Sequence, residues 1–306
     1  MSDDISFERN FDPHYGTAIE IIPGVRRLTA PNGGPFTFRG TNSYIIGTGE
    51  VAILDPGPDD AGHIDALLRA TTGETIRHIV VTHTHRDHST GVARLRAATG
   101  AEIVGEGPHR LSRPHFPGES GVMDAAGDTD FLPDRRIVDG ETIAGAGYSL
   151  TAIATPGHAA NHMAFGIDGS DCLLSGDHVM GWSTTVVAPP DGSMAEYMDS
   201  LDILAQRPET IYLPGHGAPI ANAPVYVRAL RAHRRLREAA IAERIARGDR
   251  YIADIVRVLY RETPKALHGA AALSVLAHVE DLVARGRLRL TSGSGLDGSY
   301  ETLNAR

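Results

Sequence analysis

The chain has almost no cysteine: Cys172 stands alone among 306 residues. A single thiol excludes an intrachain disulfide. Its setting in Cys172-Leu173-Leu174 reads as a buried strand, not as the electropositive, accessible surroundings a nucleophile needs. Long apolar runs are missing too, so no segment is expected to span a bilayer. Met1 to Asn10 is polar and acidic and lacks the apolar core of a signal peptide. Positive charge is in deficit: the formal net charge of −9 argues against binding nucleic acid through bulk charge, though it allows a local basic groove. Together these absences point to a cytoplasmic enzyme. A hydrophobic share of 42% supplies a substantial core. The length suits one large domain, or one with a small second domain.

Histidine, by contrast, is plentiful, at 15 residues. Three of them and an aspartate fall in Thr82-His83-Thr84-His85-Arg86-Asp87-His88. Neutral imidazole and carboxylate are the donors that zinc and its first-row neighbours favour. A chance match to His-x-His-x-Asp-His in this composition has odds of roughly a few in a thousand. Thr75 to Val81 reads as a short buried strand and Gly91 to Ala98 as a helix, so the donors sit on a strand-to-helix turn.

Strand character runs through Ile19 to Thr29, broken at Pro23-Gly24, and returns at Tyr44 to Ile46 and Val51 to Leu54 around a Gly47–Gly49 turn. Asp55 caps that last strand, either as a turn former or as a partner behind a metal-bound histidine. Residues 61–72 form an amphipathic helix with His63 expected on its surface. Residues 105–135 carry many Gly and Pro without a period, as a lid over a site would. Within them His109, Arg113 and His115 read as solvated loop residues before substrate contacts. Ile137 to Gly140, Tyr148 to Ala154, a Met163–Ile167 and Asp171–Leu174 hairpin, and Ile211 to Leu213 read as strands. Met194 to Leu204 is a helix whose Met and Tyr residues are core.

Four strand ends therefore present donors: the cluster at His83 to His88, then His158, Asp177 and His216. Glycine flanks the last three, allowing sharp turns and close backbone approach. A lone histidine at a strand end is usually a satisfied turn residue; this set is hard to explain without a metal.

The order His-x-His-x-Asp-His, Gly-His, Gly-Asp, Gly-His resembles the metallo-β-lactamase superfamily over roughly residues 19–221. The resemblance implies an α/β fold, a four-layer αβ/βα sandwich with metals at one edge. It implies His83, His85 and His158 on one divalent ion, and Asp87, His88 and His216 on another. Asp177 would bridge them, with Asp55 supporting the ligands from behind. Zinc is the expected metal, with Mn2+ or Fe2+ as alternatives. Two ions about 3.5–4 Å apart can share a water and lower its pKa toward 7, giving a bridging hydroxide that Asp87 would orient. No Ser or Cys nucleophile is then needed. β-Lactam-destroying members typically carry another residue where this chain has Asp177, so a true β-lactamase is not expected. Ala159-Ala160-Asn161-His162 departs from relatives that have Thr and Asp at its first and third positions. His162 and His178 lie beside the site.

After about residue 222 the pattern changes, dividing the chain into a catalytic domain over residues 1–222 and a smaller domain over 223–306. Helices are expected over Ala223 to Gly248, Tyr251 to Tyr260 and Gly269 to Arg285, with two short strands after Arg287. This resembles a winged helix. With Gly40-Thr41-Asn42-Ser43-Tyr44 and Glu196 to Leu201 it resembles the β-lactamase-like protein 2 group, some of whose members cut single-stranded RNA. Its third helix carries Glu280 and Asp281, so the module reads as a packing or homodimerisation surface before a nucleic-acid reader. The expected function is a dinuclear metal hydrolase acting on an RNA phosphodiester or on a thioester or lactone, with no membrane partner. A basic groove built from Arg113, Arg135 and Arg136 would favour RNA. A non-catalytic, DNA-binding regulator would instead have a closed metal site, and seven donors exceed the four that structural zinc requires.

Overall fold

The computed structural model describes residues 5–117, 119 and 126–303. Two mixed sheets lie face to face. The first contains β1 (Ile19–Ile22), β2 (Val25–Thr29), β3 (Asn42–Thr48), β4 (Glu50–Leu54), β5 (Thr75–Val80), β6 (Glu102–Gly105) and β7 (Arg135–Arg136), in that spatial order. Its strands are antiparallel as far as β4 and parallel from β4 to β7. The second contains β8 (Thr142–Gly145), β9 (Tyr148–Ala154), β10 (Met163–Ile167), β11 (Cys172–Gly176), β12 (Ile211–Pro214) and β13 (Ile220–Ala221). There only β11 and β12 run parallel.

Alternation along these strands sends one set of side chains between the sheets, among them Tyr44, Leu54, Val80, Leu150, Phe165 and Leu213. The other set meets helices. α1 (Ala61–Ala70) and α3 (Val92–Thr99) cover the first sheet through Ile64, Leu67 and Leu95 packed on Ile53 and Ile79. α4 (Met194–Leu204) and the long α5 (Ala223–Ala246) cover the second through Tyr197, Leu201, Val227 and Leu230. Helices, sheet, sheet and helices make the expected four layers. Cys172 is buried between the sheets, as expected of a structural thiol.

α6 (Ile252–Leu259), α7 (His268–Ala284) and the hairpin β14 (Leu288–Ser292) with β15 (Ser299–Thr302) form a separate core with the end of α5. The stretch Lys265–Ala284 is long and apolar enough to cross a membrane by length and composition. Its Val275, Leu276, Val279 and Leu282 instead fill this core, and Leu273 is buried as well.

Two expectations fail. Ile137 to Gly140 is not a strand: Gly140 takes a left-handed turn, φ +78°, and the pairing falls on Arg135–Arg136 before it and Thr142–Gly145 after it. His63 is buried, not exposed; its Nε2 lies 2.8 Å from Ser43 Oγ, which fixes α1 to β3. Of the expected lid, residues 118 and 120–125 lie outside the described residues. The rest runs beside the donor cluster, with His109 bonded to Thr84 and Ser112 to Pro190 and Asp191.

Candidate metal centre

β5, β9, β11 and β12 end at one edge of the sandwich, and every proposed donor follows one of these ends. β5 runs into Thr82 to His85, and a one-turn helix, α2 (Arg86–Ser89), then presents Asp87 and His88. His158 follows β9, Asp177 follows β11 and His216 follows β12. All seven side chains converge in three overlapping groups: His83, His85 and His158; His83, His88 and Asp177; Asp87, His88 and His216.

Glycine permits this convergence. A Cβ on Gly215 would lie 2.3 Å from Asp177 Oδ1 and 2.7 Å from His88 Cε1. Gly157 has φ +131°, and a Cβ there would strike the backbone of Tyr197 at 2.3 Å. A side chain at Gly215 would displace a donor, and one at Gly157 would displace α4 or the His158 turn itself.

Outer hydrogen bonds decide which nitrogen of each ring faces inward. His158 Nδ1 donates to Val186 O at 2.7 Å, so its Nε2 carries the lone pair. His85 Nε2 donates to Asp191 at 2.7 Å, leaving Nδ1 as the lone pair. Thr82 Oγ1 donates to Asp55 and therefore accepts from His83 Nδ1, leaving His83 Nε2 free. His88 Nδ1 donates to Asp55 Oδ2 and His216 Nδ1 to Gly40 O. Each ring, when neutral, therefore turns an acceptor nitrogen inward. His85 Nδ1 lies 3.0 Å from both His83 Nε2 and His158 Nε2. Nitrogens about 2.0–2.1 Å from a tetrahedral zinc would span an edge of roughly 3.3 Å. His88 Nε2 and Asp177 Oδ1 are buried with no hydrogen-bond partner. Lone pairs this close repel unless a cation lies among them, so the residues fit a metal.

The carboxylates add charge. Asp177 Oδ2 is 3.2 Å from His216 Nε2 and 3.8 Å from His158 Nε2, while Oδ1 is 3.5 Å from His88 Nε2, so Asp177 touches both halves. Asp87 Oδ2 lies 3.4 Å from His88 and 3.3 Å from His216. Burial opposes ionisation of Asp87 and Asp177, but the neighbouring His88 and His216 outweigh it and hold both carboxyls well below the usual range. In the same way burial lowers His216, yet Asp177 and Asp87 raise it to about 10. His158 shows the opposite outcome: burial and then His85 push it down to about 4.

Asp55 sits at φ +50°, a strained backbone for a non-glycine residue that costs of order 1–3 kcal/mol. Its carboxylate spans Thr82 N, Thr82 Oγ1 and His88 Nδ1, each at 2.8 Å. It stands behind the donors and touches His88 directly. His162 bonds Thr155 and accepts the backbone N–H of Asp177, so it shapes that turn. His178 is buried against Tyr197. Asn161 bonds Thr84 Oγ1.

Sequence reasoning missed Asp191, which orients His85 from a Pro189-Pro190-Asp191 turn 106 residues away. It also missed that Thr41 Oγ1 donates to Asp87 Oδ2 at 3.0 Å and that Asn42 pins the His216 turn through Pro214 O and Gly217 O. The Gly40–Tyr44 motif gave a signal for the latter pair; nothing marked Asp191. Arg113 is not groove-forming: it is locked between Glu119 and Glu280 of α7. Arg135 lies 3.8 Å from Glu102, and Arg136 donates to Glu106 O.

This edge-borne cluster on a four-layer sandwich defines a class. Residues 36–216 match the metallo-beta-lactamase superfamily, and residues 252–295 match the beta-lactamase associated winged helix domain. The chain belongs to the metallo-β-lactamase superfamily. It is 31% identical over 280 residues to the beta-lactamase-like protein 2 homolog of Caenorhabditis elegans, covering 89% of this chain and 88% of the relative. It is 30% identical over 277 residues to the atrochrysone carboxyl ACP thioesterase of Passalora fulva, covering 85% and 75%. A beta-lactamase domain protein from Burkholderia ambifaria shares the fold, with a TM-score of 0.77 at 23% identity over 95% of each chain. The chain is thus a superfamily hydrolase whose histidine and aspartate cluster can bind metal.

Proposed function

We propose that the protein is a dinuclear, zinc-dependent thioester hydrolase. The observation that carries the metal-dependent hydrolysis is the set of five inward imidazole lone pairs around two buried carboxylates. His83, His85 and His158 would hold one ion, Asp87, His88 and His216 the other, and Asp177 would span them. Bound there, two divalent ions supply Lewis acidity and a water acidified toward neutral pH. The chain's own part is orientation. Asp191, Val186 and Thr82 fix three rings, and Asp55 and the Gly40 carbonyl fix two more. Thr41 fixes the Asp87 carboxylate, whose other oxygen is free to take a proton during attack.

Thioester is favoured over RNA on two grounds. Arg113, Arg135 and Arg136 are engaged with Glu119, Glu280, Glu102 and the Glu106 carbonyl, so they do not line a track for a phosphate backbone. Several relatives at 26–30% identity carry thioesterase names. The test is turnover of a panel of acyl-coenzyme A, acyl-glutathione, lactone, bis-aryl phosphodiester and single-stranded RNA. Thioester cleavage that stops on chelation and returns with zinc is the expected result. Thioesterase activity that survives complete metal removal would overturn the reading, as would RNA cleavage without thioester cleavage. β-Lactams are expected to be poor substrates, and fast turnover of one would overturn the role given to Asp177.

A further inference from the structure

Beside the donor cluster, α5, the turn after α6, α7, the segment 182–186 and the 7–9 and 35–36 segments line an open cleft of about 370 Å³. That volume suits a small ligand group. Arg9, His233, Arg234 and Arg237 line it, and no aspartate or glutamate does, in a chain of net charge −9. Among the described residues none of these arginines is paired with a carboxylate, whereas Arg113, Arg207 and Arg285 all are. Arg234 is buried; it donates one Nη2 hydrogen bond to Thr185 O, and its Nε has no partner. His233 Nδ1 is also without one. Burial first, and then Arg234 and Arg237, push His233 down to about 4, so the positive field in the cleft is unbalanced.

The cleft shares a wall with the metal centre. Thr185 Oγ1 donates to Asp177 O, and Val186 O receives His158 Nδ1. A group seated here therefore lies one residue's thickness from two donors. Trp182 and Tyr260 add aromatic faces, and Arg237 lies 4.5 Å over the Tyr260 ring. Guanidinium groups, hydroxyls and aromatic rings around one cleft recognise a phosphate attached to a small organic body. The volume suits one such group.

We infer that this cleft binds the phosphorylated end of the thiol leaving group, with Arg9, Arg234 and Arg237 as its anion contacts. The inference rests on the thioesterase reading for the identity of the ligand, though not for the existence of the anion site.

Trp182 is the single tryptophan, so its fluorescence reports the cleft. Coenzyme A is titrated into the full chain before and after chelation, which separates binding here from binding at metal. A saturable change that persists after chelation is expected, with little response to pantethine, which lacks phosphate. Arg237→Gln and Arg9→Gln should each weaken it about tenfold, the loss of one charge-assisted contact. Arg261→Gln, paired with Glu262 outside the cleft, should change nothing. Absence of a saturable response, or full affinity in both cleft variants, would overturn the site. Inorganic phosphate binding as tightly as coenzyme A would overturn the leaving-group assignment, and an oligonucleotide binding more tightly than coenzyme A would make it a nucleic-acid contact. If coenzyme A binds but no thioester is cleaved, the catalytic reading fails and the anion site stands.

Discussion

His83, His85 and His158 meet as three imidazoles, whereas Asp87, His88 and His216 meet around carboxylate. The first half can accept a cation only through nitrogen lone pairs, a set that suits zinc and leaves a fourth position open. The second half, with Asp177 shared, carries negative charge and oxygen donors that also suit manganese or iron. On the proposed reading one cluster would hold two unlike sites, with Asp177, which lies within reach of both groups, joining them. Changes that strike one half should be separable from changes that strike both.

The largest effect is expected from the first half. His85→Ala removes a nitrogen that touches both of its partners at 3.0 Å. It should lower kcat/KM by about a thousandfold or more, several kcal/mol of lost transition-state stabilisation. Circular dichroism and melting should show a folded chain. Full activity in this variant would place the chemistry elsewhere.

Gly215→Ala strikes the other half without touching a donor's chemistry. The added methyl would sit 2.3 Å from Asp177 Oδ1, so Asp177 or the β12 turn must shift. Metal content measured by elemental analysis should fall from two equivalents toward one, with stability reduced by about 1–3 kcal/mol as in other overpacked sites. Two equivalents at unchanged affinity would show that the halves are not joined as described.

The converging residues and their supports were not equally legible in the sequence. All seven residues that converge could be read, because six residues of one turn carry four of them and glycine marks the other three. The four layers could be read from strand alternation and amphipathic helices. What could not be read depends on contacts distant in sequence. Asp191 reaches His85 only because the turn after β11 folds back over β5, and no local pattern records that. His63 has the spacing of a surface residue, but its partner Ser43 lies on a strand 20 residues earlier. Arg113 reads as a free cation until α7 brings Glu280 to it.

Asp55 and Asp191 sharpen the contrast at smaller magnitude. Asp55 supports His88 directly and His83 through Thr82, so Asp55→Asn should weaken both metal-binding steps. Asparagine also tolerates the positive φ, which keeps the backbone in place. Asp191 supports His85 alone, so Asp191→Asn should weaken only one step. Losses of about 10–100-fold are expected for each affected step, since these partners set ring orientation and basicity. Competition titration with a chromophoric chelator resolves the steps. Equal loss at both steps in Asp191→Asn would contradict the one-sided role.

The smallest effect should come from an arginine outside the donor cluster. Arg113 bonds Glu119 and Glu280 together, tying the 105–117 segment to α7. Its side chain is 19% exposed, and both partners are largely covered, so the pair is only partly screened. Burial raises the Glu280 carboxyl, with Arg113 opposing that rise. Arg113→Gln leaves two covered carboxylates without their cation and should cost about 1–3 kcal/mol of stability, read as a lower melting temperature. Metal content should stay at its wild-type value, because no donor or donor support is touched. A loss of metal in this variant would mean that the segment helps to hold the cluster together, and the arginine would then belong with the site instead of with the clamp.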